Sequence, residues 1–204
     1  QGDTVDGPEL TNLVVDDAVL RRMPLTKDIN GRDFAILDTN TDGAKLQAGP
    51  LLRDDERGAF NRKRLHVKYH ALRRAPRRDA ILFESFGGRQ YSDSPRAVHE
   101  ELIARGIGPD EHLWVVRDGQ VSVPPTARAI RRGSKEYYEA LASCRYIVTN
   151  SHLPDWFERA PDQVVAQLWH GTPLKRIGFD TELRFADLQY LSRLEKEVPN
   201  WSFL

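Results

Sequence analysis

Apolar residues in the second half of this 204-residue chain form short runs that alternate with helical patterns. The runs lie at 80–83, 112–117, 146–149 and 163–168. Continuous apolar runs of this length are typical of strands that are buried on both faces. Between them, Pro95 suits the first turn of a helix that Ser94 can cap and Gly106 can end, and Ser134 begins another helix. Strands and helices alternating at this spacing predict a Rossmann-like parallel sheet of the α/β class.

The first part of the chain lacks this rhythm. Residues 33–38 and 44–48 resemble two strands, and they flank residues 39–43, whose Asp-Gly pair is a turn signal. We therefore predict a short, incomplete β-rich accessory segment at 1–55. A basic connecting helix at 56–78 and a Rossmann-like half at 79–204 complete the predicted organisation.

Composition narrows the class of protein. Hydrophobic residues make up 40% and charged residues 29%, which is a globular profile. No apolar run approaches the roughly 18 residues of a membrane-spanning helix, and the polar N-terminus shows no signal peptide, so we expect a cytoplasmic protein. The single cysteine, Cys144, excludes an internal disulfide and a cysteine-only metal cluster. Because Met23 is the only methionine and residues 200–204 break off in an apolar stretch, we expect a piece of a longer protein.

Charge is neutral overall, with 30 basic and 30 acidic residues, but it is concentrated locally. Residues 53–78 contain ten Lys or Arg residues and three Asp or Glu residues. Leu65, Tyr69 and Leu72 are spaced so that a helix here has one apolar face and a cationic remainder. Two interpretations stay open. The helix packs its apolar face on its own domain, or it also contacts an anionic membrane or polymer.

Polar residues follow the predicted strands, where ligands of parallel α/β sheets bind. After the first strand, Gly87 and Gly88 can bring backbone close to a ligand, and Arg89 adds a cation. The spacing is not that of dinucleotide-binding loops, and a turn without a ligand is the alternative. After the 146–149 strand, Asn150 can bind polar substrate groups or cap the next turn.

The residues that follow the strand at 163–168 are the strongest candidates for a functional site. Gly171, Thr172 and Lys175 surround the predicted start of a short helix, whose free N–H groups favour an anion. His170 precedes them, and a histidine can take up a proton near neutral pH. This combination suits phosphoryl or glycosyl chemistry, whereas a structural histidine under a loop is the alternative. No metal site is expected, because His66 and His70 have basic neighbours and no acidic ligand close by in sequence.

Three ordered motifs give the chain a family resemblance. Residues 83–95, 137–150 and 167–175 resemble motifs of the CDP-glycerol glycerophosphotransferase family, bacterial enzymes that prime and extend teichoic acids and related capsule polymers. Their order and spacing agree from about residue 79 to 180.

The resemblance implies the acceptor-side, N-terminal half of a GT-B transferase, with the donor-binding half absent from this sequence. It implies transfer of glycerol phosphate from CDP-glycerol, or a related nucleotide donor, to a hydroxyl of a lipid-anchored polymer at the inner membrane face. His170 is the expected base or, alternatively, a phosphate ligand. The implied phosphate- and substrate-binding residues are Gly87, Gly88, Arg89, Ser92, Asn150, Gly171, Thr172 and Lys175. No cofactor and no nucleic acid are expected, and a non-catalytic module that docks on anionic membrane or polymer is the competing hypothesis.

Overall fold

A computed structural model describes residues 15–30, 32–38, 44–49, 51–170, 179 and 188–204. The chain forms two compact units, Gln1–Leu51 and Leu52–Leu204. Among the described residues, no helix combines the length and apolarity that crossing a membrane requires.

The first unit contains a short helix and a three-stranded antiparallel sheet. Its elements are α1 (Asp17–Leu20), β1 (Leu25–Ile29), β2 (Arg32–Asp38) and β3 (Ala44–Ala48). The strands lie in the order β1-β2-β3. The predicted β-rich character is therefore confirmed, with β1 as an additional strand. The predicted turn at 39–43 lies outside the described residues.

The second unit contains a five-stranded, wholly parallel sheet. Its strands are β4 (Arg78–Glu84), β5 (Glu111–Val116), β6 (Arg128–Arg131), β7 (Cys144–Thr149) and β8 (Val164–Gln167). Its helices are α2 (Gly58–Leu72), α3 (Asp93–Arg105), α4 (Lys135–Ser143) and α5 (Leu188–Glu197). The strand order is β6-β5-β4-β7-β8. The four predicted strands and the Rossmann-like fold class are confirmed, whereas β6 was not predicted.

The strand order reverses between β4 and β7, which lie side by side although β5 and β6 come between them in the chain. Connections from β4 lead toward one edge of the sheet, and those from β7 lead toward the other. In open parallel α/β sheets, ligands bind outside the carboxyl ends of the strands at such a reversal. The carboxyl ends of β4 and β7 are therefore where the fold favours a ligand.

Helices cover both faces of the parallel sheet. On one face, α2 and α4 pack through side chains such as Tyr69 and Leu141 against alternate strand residues such as Leu82. On the other face, α3 packs through Val98 against residues such as Phe83. Both faces of β4 are thus buried, which explains its continuous apolar run.

The helix ends agree with most of their sequence signals. Gly106 adopts a left-handed conformation (φ +60°) and ends α3 as predicted, and Ser134 caps α4 by accepting a hydrogen bond from the N–H of Tyr137 over 3.2 Å. By contrast, α3 begins at Asp93, with Ser92 rather than Ser94 in the capping position.

His99 and Cys144 are both buried in the second unit. The ring of His99 lies 5.2 Å from Phe83 and 5.0 Å from His112. The α3 face that carries His99 is the one that packs on the sheet, since helix periodicity places it beside Val98 and Leu102. Cys144 is the first residue of β7, and it packs in the same core cluster as Leu141 of α4.

The basic segment forms a helix that is shorter than predicted, and α2 ends ahead of Pro76. Leu65 and Tyr69 are buried in the core, so the interpretation that this face packs on its own domain is confirmed. Several cations of the segment are paired within the unit. Lys68 pairs with Glu139, Arg73 with Glu158, Arg77 with Asp162 and Arg78 with Glu111.

Candidate functional site at the carboxyl edge of the sheet

Three polar residues end three neighbouring strands of the parallel sheet, β4, β7 and β8. Glu84 of β4 is in register with Thr149 of β7, which is in register with Gln167 of β8. All three side chains are buried. The motifs that follow β4, β7 and β8 in the sequence therefore leave the sheet side by side.

Asn150 connects the loops that follow β4 and β7. Its Oδ1 accepts a hydrogen bond from the N–H of Phe86 over 2.9 Å, and its Nδ2 donates to Asp93 over 2.6 Å. The neighbouring Ser151 hydroxyl accepts from the N–H of Gly87 over 3.0 Å. Asn150 is buried, so its side chain holds the β4 loop in place from within the protein.

The Gly87-Gly88 pair is shaped by close packing. Both residues adopt positive φ, and the N–H of Gly88 donates to the carbonyl of Ser85 over 3.0 Å. A Cβ on Gly88 would lie 3.0 Å from the backbone nitrogen of Arg117, at the end of β5. The N–H groups of Phe86, Gly87 and Gly88 thus all donate within the chain, whereas the side chain of Arg89 is exposed to solvent.

Ser92 contributes to the same loop. Its hydroxyl donates to the side chain of Gln90 over 2.8 Å, and its carbonyl accepts from the hydroxyl of Ser85 over 3.0 Å. These bonds fix the course of the chain from the end of β4 to the start of α3. Ser92 therefore has a structural explanation within the described residues.

His170 lies exposed beside this loop. Its ring centroid is 5.4 Å from that of Phe86, and it stacks with Trp169 at 6.3 Å. Phe86 and Trp169 both adopt positive φ, at +47° and +52°, which is costly for aromatic residues and is typical of functional sites. The N–H of Trp169 donates to the side chain of Gln167 over 3.0 Å, and this bond helps to fix the backbone after β8.

The structure brings together His170, Asn150 and the Gly87-Gly88-Arg89 loop. Contacts within the chain account for Asn150, Ser92 and both glycines, whereas His170 and Arg89 face solvent. Gly171, Thr172 and Lys175 lie outside the described residues, so their predicted roles stay predictions.

Sequence reasoning missed a buried charge next to this loop. The Glu84 side chain is only 1% exposed, and the Nε of Arg132, which follows β6, lies 3.7 Å from its Oε1. The hydroxyl of Tyr137 donates to its Oε2 over 3.5 Å. Burial raises the pKa of Glu84 to about 6, although Arg132 and Tyr137 oppose the shift. A charged residue at the last position of an apolar strand was the signal that could have found it.

The described residues show no metal-binding constellation. No group of three or more His, Cys, Asp or Glu side chains there is placed to hold a metal ion. What this edge offers instead is a histidine, exposed cations and a firmly held backbone. These groups suit proton transfer and the binding of anions.

Curated relatives of this chain make teichoic acids. It is 31% identical over 150 residues to a teichoic acid glycerol-phosphate transferase of Staphylococcus aureus, covering 69% of this chain and 37% of that protein. It is 35% identical over 141 residues to a teichoic acid poly(glycerol phosphate) polymerase of Bacillus subtilis, covering 66% of this chain and 19% of that protein. The chain thus spans well under half the length of these relatives.

Solved structures of the wall teichoic acid polymerase TagF share the fold. One superposes with a TM-score of 0.59 at 28% identity, covering 76% of this chain and 41% of TagF. A TagF variant soaked with CDPG also superposes with a TM-score of 0.59, at 27% identity, covering 72% of this chain and 42% of the variant. This similarity, together with the parallel sheet, identifies the fold as α/β and of the type found in this GT-B transferase.

The family profile described as CDP-glycerol:poly(glycerophosphate) glycerophosphotransferase matches residues 66–204, which include the whole parallel sheet. The family resemblance of the three sequence motifs is confirmed. The chain belongs to the CDP-glycerol:poly(glycerophosphate) glycerophosphotransferase family.

Proposed function

We propose that this chain is the acceptor-side half of an enzyme that transfers glycerol phosphate from CDP-glycerol to a hydroxyl at the end of a growing teichoic acid polymer. The observation that carries the proposal is the position of His170, exposed at the carboxyl edge with its ring 5.4 Å from Phe86 of the β4 loop. Family membership and the CDPG soaked into TagF support the donor. A purely non-catalytic docking module is not favoured, because it leaves this edge unexplained.

In the proposed reaction, a polymer hydroxyl attacks the β-phosphorus of CDP-glycerol. The new oxygen–phosphorus bond forms as the bond from phosphorus to the bridging oxygen breaks, and CMP leaves with that electron pair. His170 takes the hydroxyl proton as general base, which is typically worth about 10²–10⁴-fold in rate. Positive potential stabilises the charge on the phosphate oxygens.

Different residues have different parts in this proposal. Arg89 is an exposed cation on the β4 loop, and we propose that it contacts substrate. Gly87, Gly88, Ser92 and Asn150 act through the shape of that loop, since their hydrogen bonds lie within the chain. Gly171, Thr172 and Lys175 remain proposed phosphate ligands.

The test uses the complete product of the gene that encodes this chain and measures CMP release from CDP-glycerol. We expect His170→Ala to lower turnover by at least about a hundredfold with an unchanged melting temperature. His170→Gln separates the two roles, because an amide can donate to phosphate but cannot take up a proton. His70→Ala, an exposed histidine of α2, is the matched control. Activity of His170→Ala within a few-fold of the unmodified protein would contradict the proposal.

We also propose that the exposed side of α2 rests on the anionic membrane surface where a lipid-anchored acceptor would be presented. Phe60 is 73% exposed and Val67 is 66% exposed, and both lie beside Lys63 and Arg64 along one side of the helix. Apolar side chains among cations are typical of helices that lie in a membrane interface. This would place the protein on the inner face of the membrane.

A further inference from the structure

Arg132 is the second cation next to the Gly87-Gly88 loop, and neither the motifs nor the proposed mechanism uses it. It directly follows β6, and its N–H donates to the carbonyl of Val116 at the end of β5 over 2.8 Å. Its Nη1 lies 3.5 Å from the carbonyl oxygen of Gly87. The backbone and the side chain of Arg132 are thus both tied to the carboxyl edge of the sheet.

The buried carboxylate of Glu84 pairs with the guanidinium of Arg132. Its Oε1 lies 3.7 Å from the Nε of Arg132 and accepts no hydrogen bond from the described residues. The contact is therefore an ion pair without a short hydrogen bond. A guanidinium has five N–H donors, and that of Arg132 meets the carbonyl of Gly87, the carboxylate of Glu84 and the hydroxyl of Tyr137 within the chain. The Arg132 side chain is 37% exposed, so donors remain for a ligand on the solvent side.

Gly87 leaves the space that this arrangement needs. A Cβ at Gly87 would lie 3.1 Å from the Nη1 of Arg132, so a side chain there would displace the guanidinium. Phe86, the preceding residue, contacts the ring of His170. Two consecutive residues of this turn therefore contact two different groups of the site. Phe86 contacts His170, the proposed base, and Gly87 contacts Arg132, which pairs with the buried carboxylate of Glu84.

We propose that Arg132 binds a phosphate oxyanion of the substrate and that Glu84 is its positioning residue. This inference rests on the proposed function and extends it to a binding residue. Arginine suits the task because its planar fork pairs with phosphate through two parallel hydrogen bonds, and a fixed guanidinium loses little entropy on binding. The phosphate can belong to the repeating phosphodiester of the acceptor or to the pyrophosphate of the donor.

The test measures the Kd of two substrate probes and of inorganic phosphate on this 204-residue chain by titration calorimetry. Of the two substrate probes, synthetic tri(glycerol phosphate) represents the acceptor and CDP-glycerol represents the donor, while inorganic phosphate reports general anion binding. We expect Arg132→Gln to raise the Kd of one of the two substrate probes at least tenfold, and the affected probe identifies the source of the phosphate. Arg132→Lys should raise that Kd by a smaller factor. Arg105→Gln, an exposed arginine of α3, should change neither Kd.

A double-mutant cycle tests the role of Glu84. Glu84→Gln should weaken probe binding at least threefold in the unmodified chain and should have no effect in the Arg132→Gln background. Equal effects in both backgrounds would overturn the positioning role.

Unchanged Kd values in a folded Arg132→Gln chain, or binding of neither probe by the unmodified chain, would overturn the inference. These results are separate from the turnover of His170→Ala. If His170→Ala loses turnover and Arg132→Gln binds the probes normally, the proposed function stands and the role of Arg132 is wrong. If Arg132→Gln loses binding and His170→Ala keeps its turnover, Arg132 forms an anion-binding site and the proposed role of His170 is wrong.

Discussion

The side-chain oxygen of Asn150 accepts a hydrogen bond from the backbone N–H of Phe86 over 2.9 Å, and this bond joins the loops of the two strands between which the strand order reverses. Phe86 has a positive φ of +47° and contacts His170. The bond therefore helps to hold a strained residue in the position that sets the surroundings of the histidine. Asn150 links the fold of the sheet to the geometry of the candidate site.

Asn150→Ala should lower both stability and catalysis. It leaves the N–H of Phe86 without its partner, which typically costs about 1–3 kcal/mol for a buried group left unsatisfied, whereas the exposed carboxylate of Asp93 can bind water instead. We expect a fall of that order in the free energy of unfolding, measured with urea. Asn61→Ala, which removes side-chain bonds at the start of α2, should cost less. Equal losses for the two variants would contradict a special role for Asn150.

Two glycines of the second unit, Gly88 and Gly106, allow a matched comparison. Gly88 and Gly106 both have positive φ, at +79° and +60°, but a Cβ on Gly106 would meet nothing within 4 Å, whereas one on Gly88 would meet backbone at 3.0 Å. Gly106→Ala should therefore cost only the backbone strain of about 1–2 kcal/mol. Gly88→Ala should cost about 1–3 kcal/mol more, because a packed neighbour must move. Urea unfolding of both variants measures the difference, and similar costs would show that close packing is not the reason for Gly88.

The sequence predicted the elements whose signals are local. Apolar runs identify β4 and β7, and Gly106 marks the end of α3, because burial and a left-handed cap act on residues that are near one another in the chain. β6 was not predicted, because Ile130 is its only buried residue and the strand therefore lacks an apolar run. The pairing of Glu84 with Arg132 depends on the order of strands in the sheet, and no local pattern encodes that order.

Two buried histidines should make the protein sensitive to acid. Burial, together with the neighbouring His112, lowers the pKa of His99 from its usual 6.5, and burial lowers the pKa of His112. Well above pH 6.5 both histidines are neutral in the folded and unfolded states, and their contribution to stability is constant. As pH falls below 6.5, the unfolded chain binds protons that the folded chain does not, so the free energy of unfolding decreases.

The test compares urea unfolding at pH 7.5 and 5.5. His99→Gln should lose less stability between these two pH values than the unmodified chain does. An amide at this position can still bond the hydroxyl of Tyr91, which lies 2.8 Å from the Nδ1 of His99. His70→Gln, which replaces an exposed histidine, should leave the pH dependence unchanged. If His99→Gln loses as much stability between pH 7.5 and 5.5 as the unmodified chain does, the buried pair His99 and His112 is not the cause of the acid sensitivity.

The exposed side of α2 should bind anionic vesicles through a few cations only. Arg73, Arg77 and Arg78 have partners within the unit, so they are poor candidates for membrane contact, whereas Lys63 and Arg64 lie beside Phe60 and Val67 on the outer side. Each basic residue near an anionic surface contributes about 1 kcal/mol, and salt screens the effect. Neutralising two should therefore weaken binding about tenfold or more at low salt.

The measurement is co-sedimentation with vesicles that contain phosphatidylglycerol, across a salt series. Lys63→Gln with Arg64→Gln should reduce binding and its salt dependence, and Phe60→Ala should reduce the part that persists at high salt. Arg96→Gln with Arg105→Gln is the matched control, because it removes the same charge from α3, which packs on the opposite face of the sheet from α2. Equal losses from the two pairs would mean that net charge, rather than this side of α2, governs the interaction. Binding that changes neither with salt nor in either double variant would rule out electrostatic docking. The reason is that two charges facing the membrane cannot be removed without weakening the attraction.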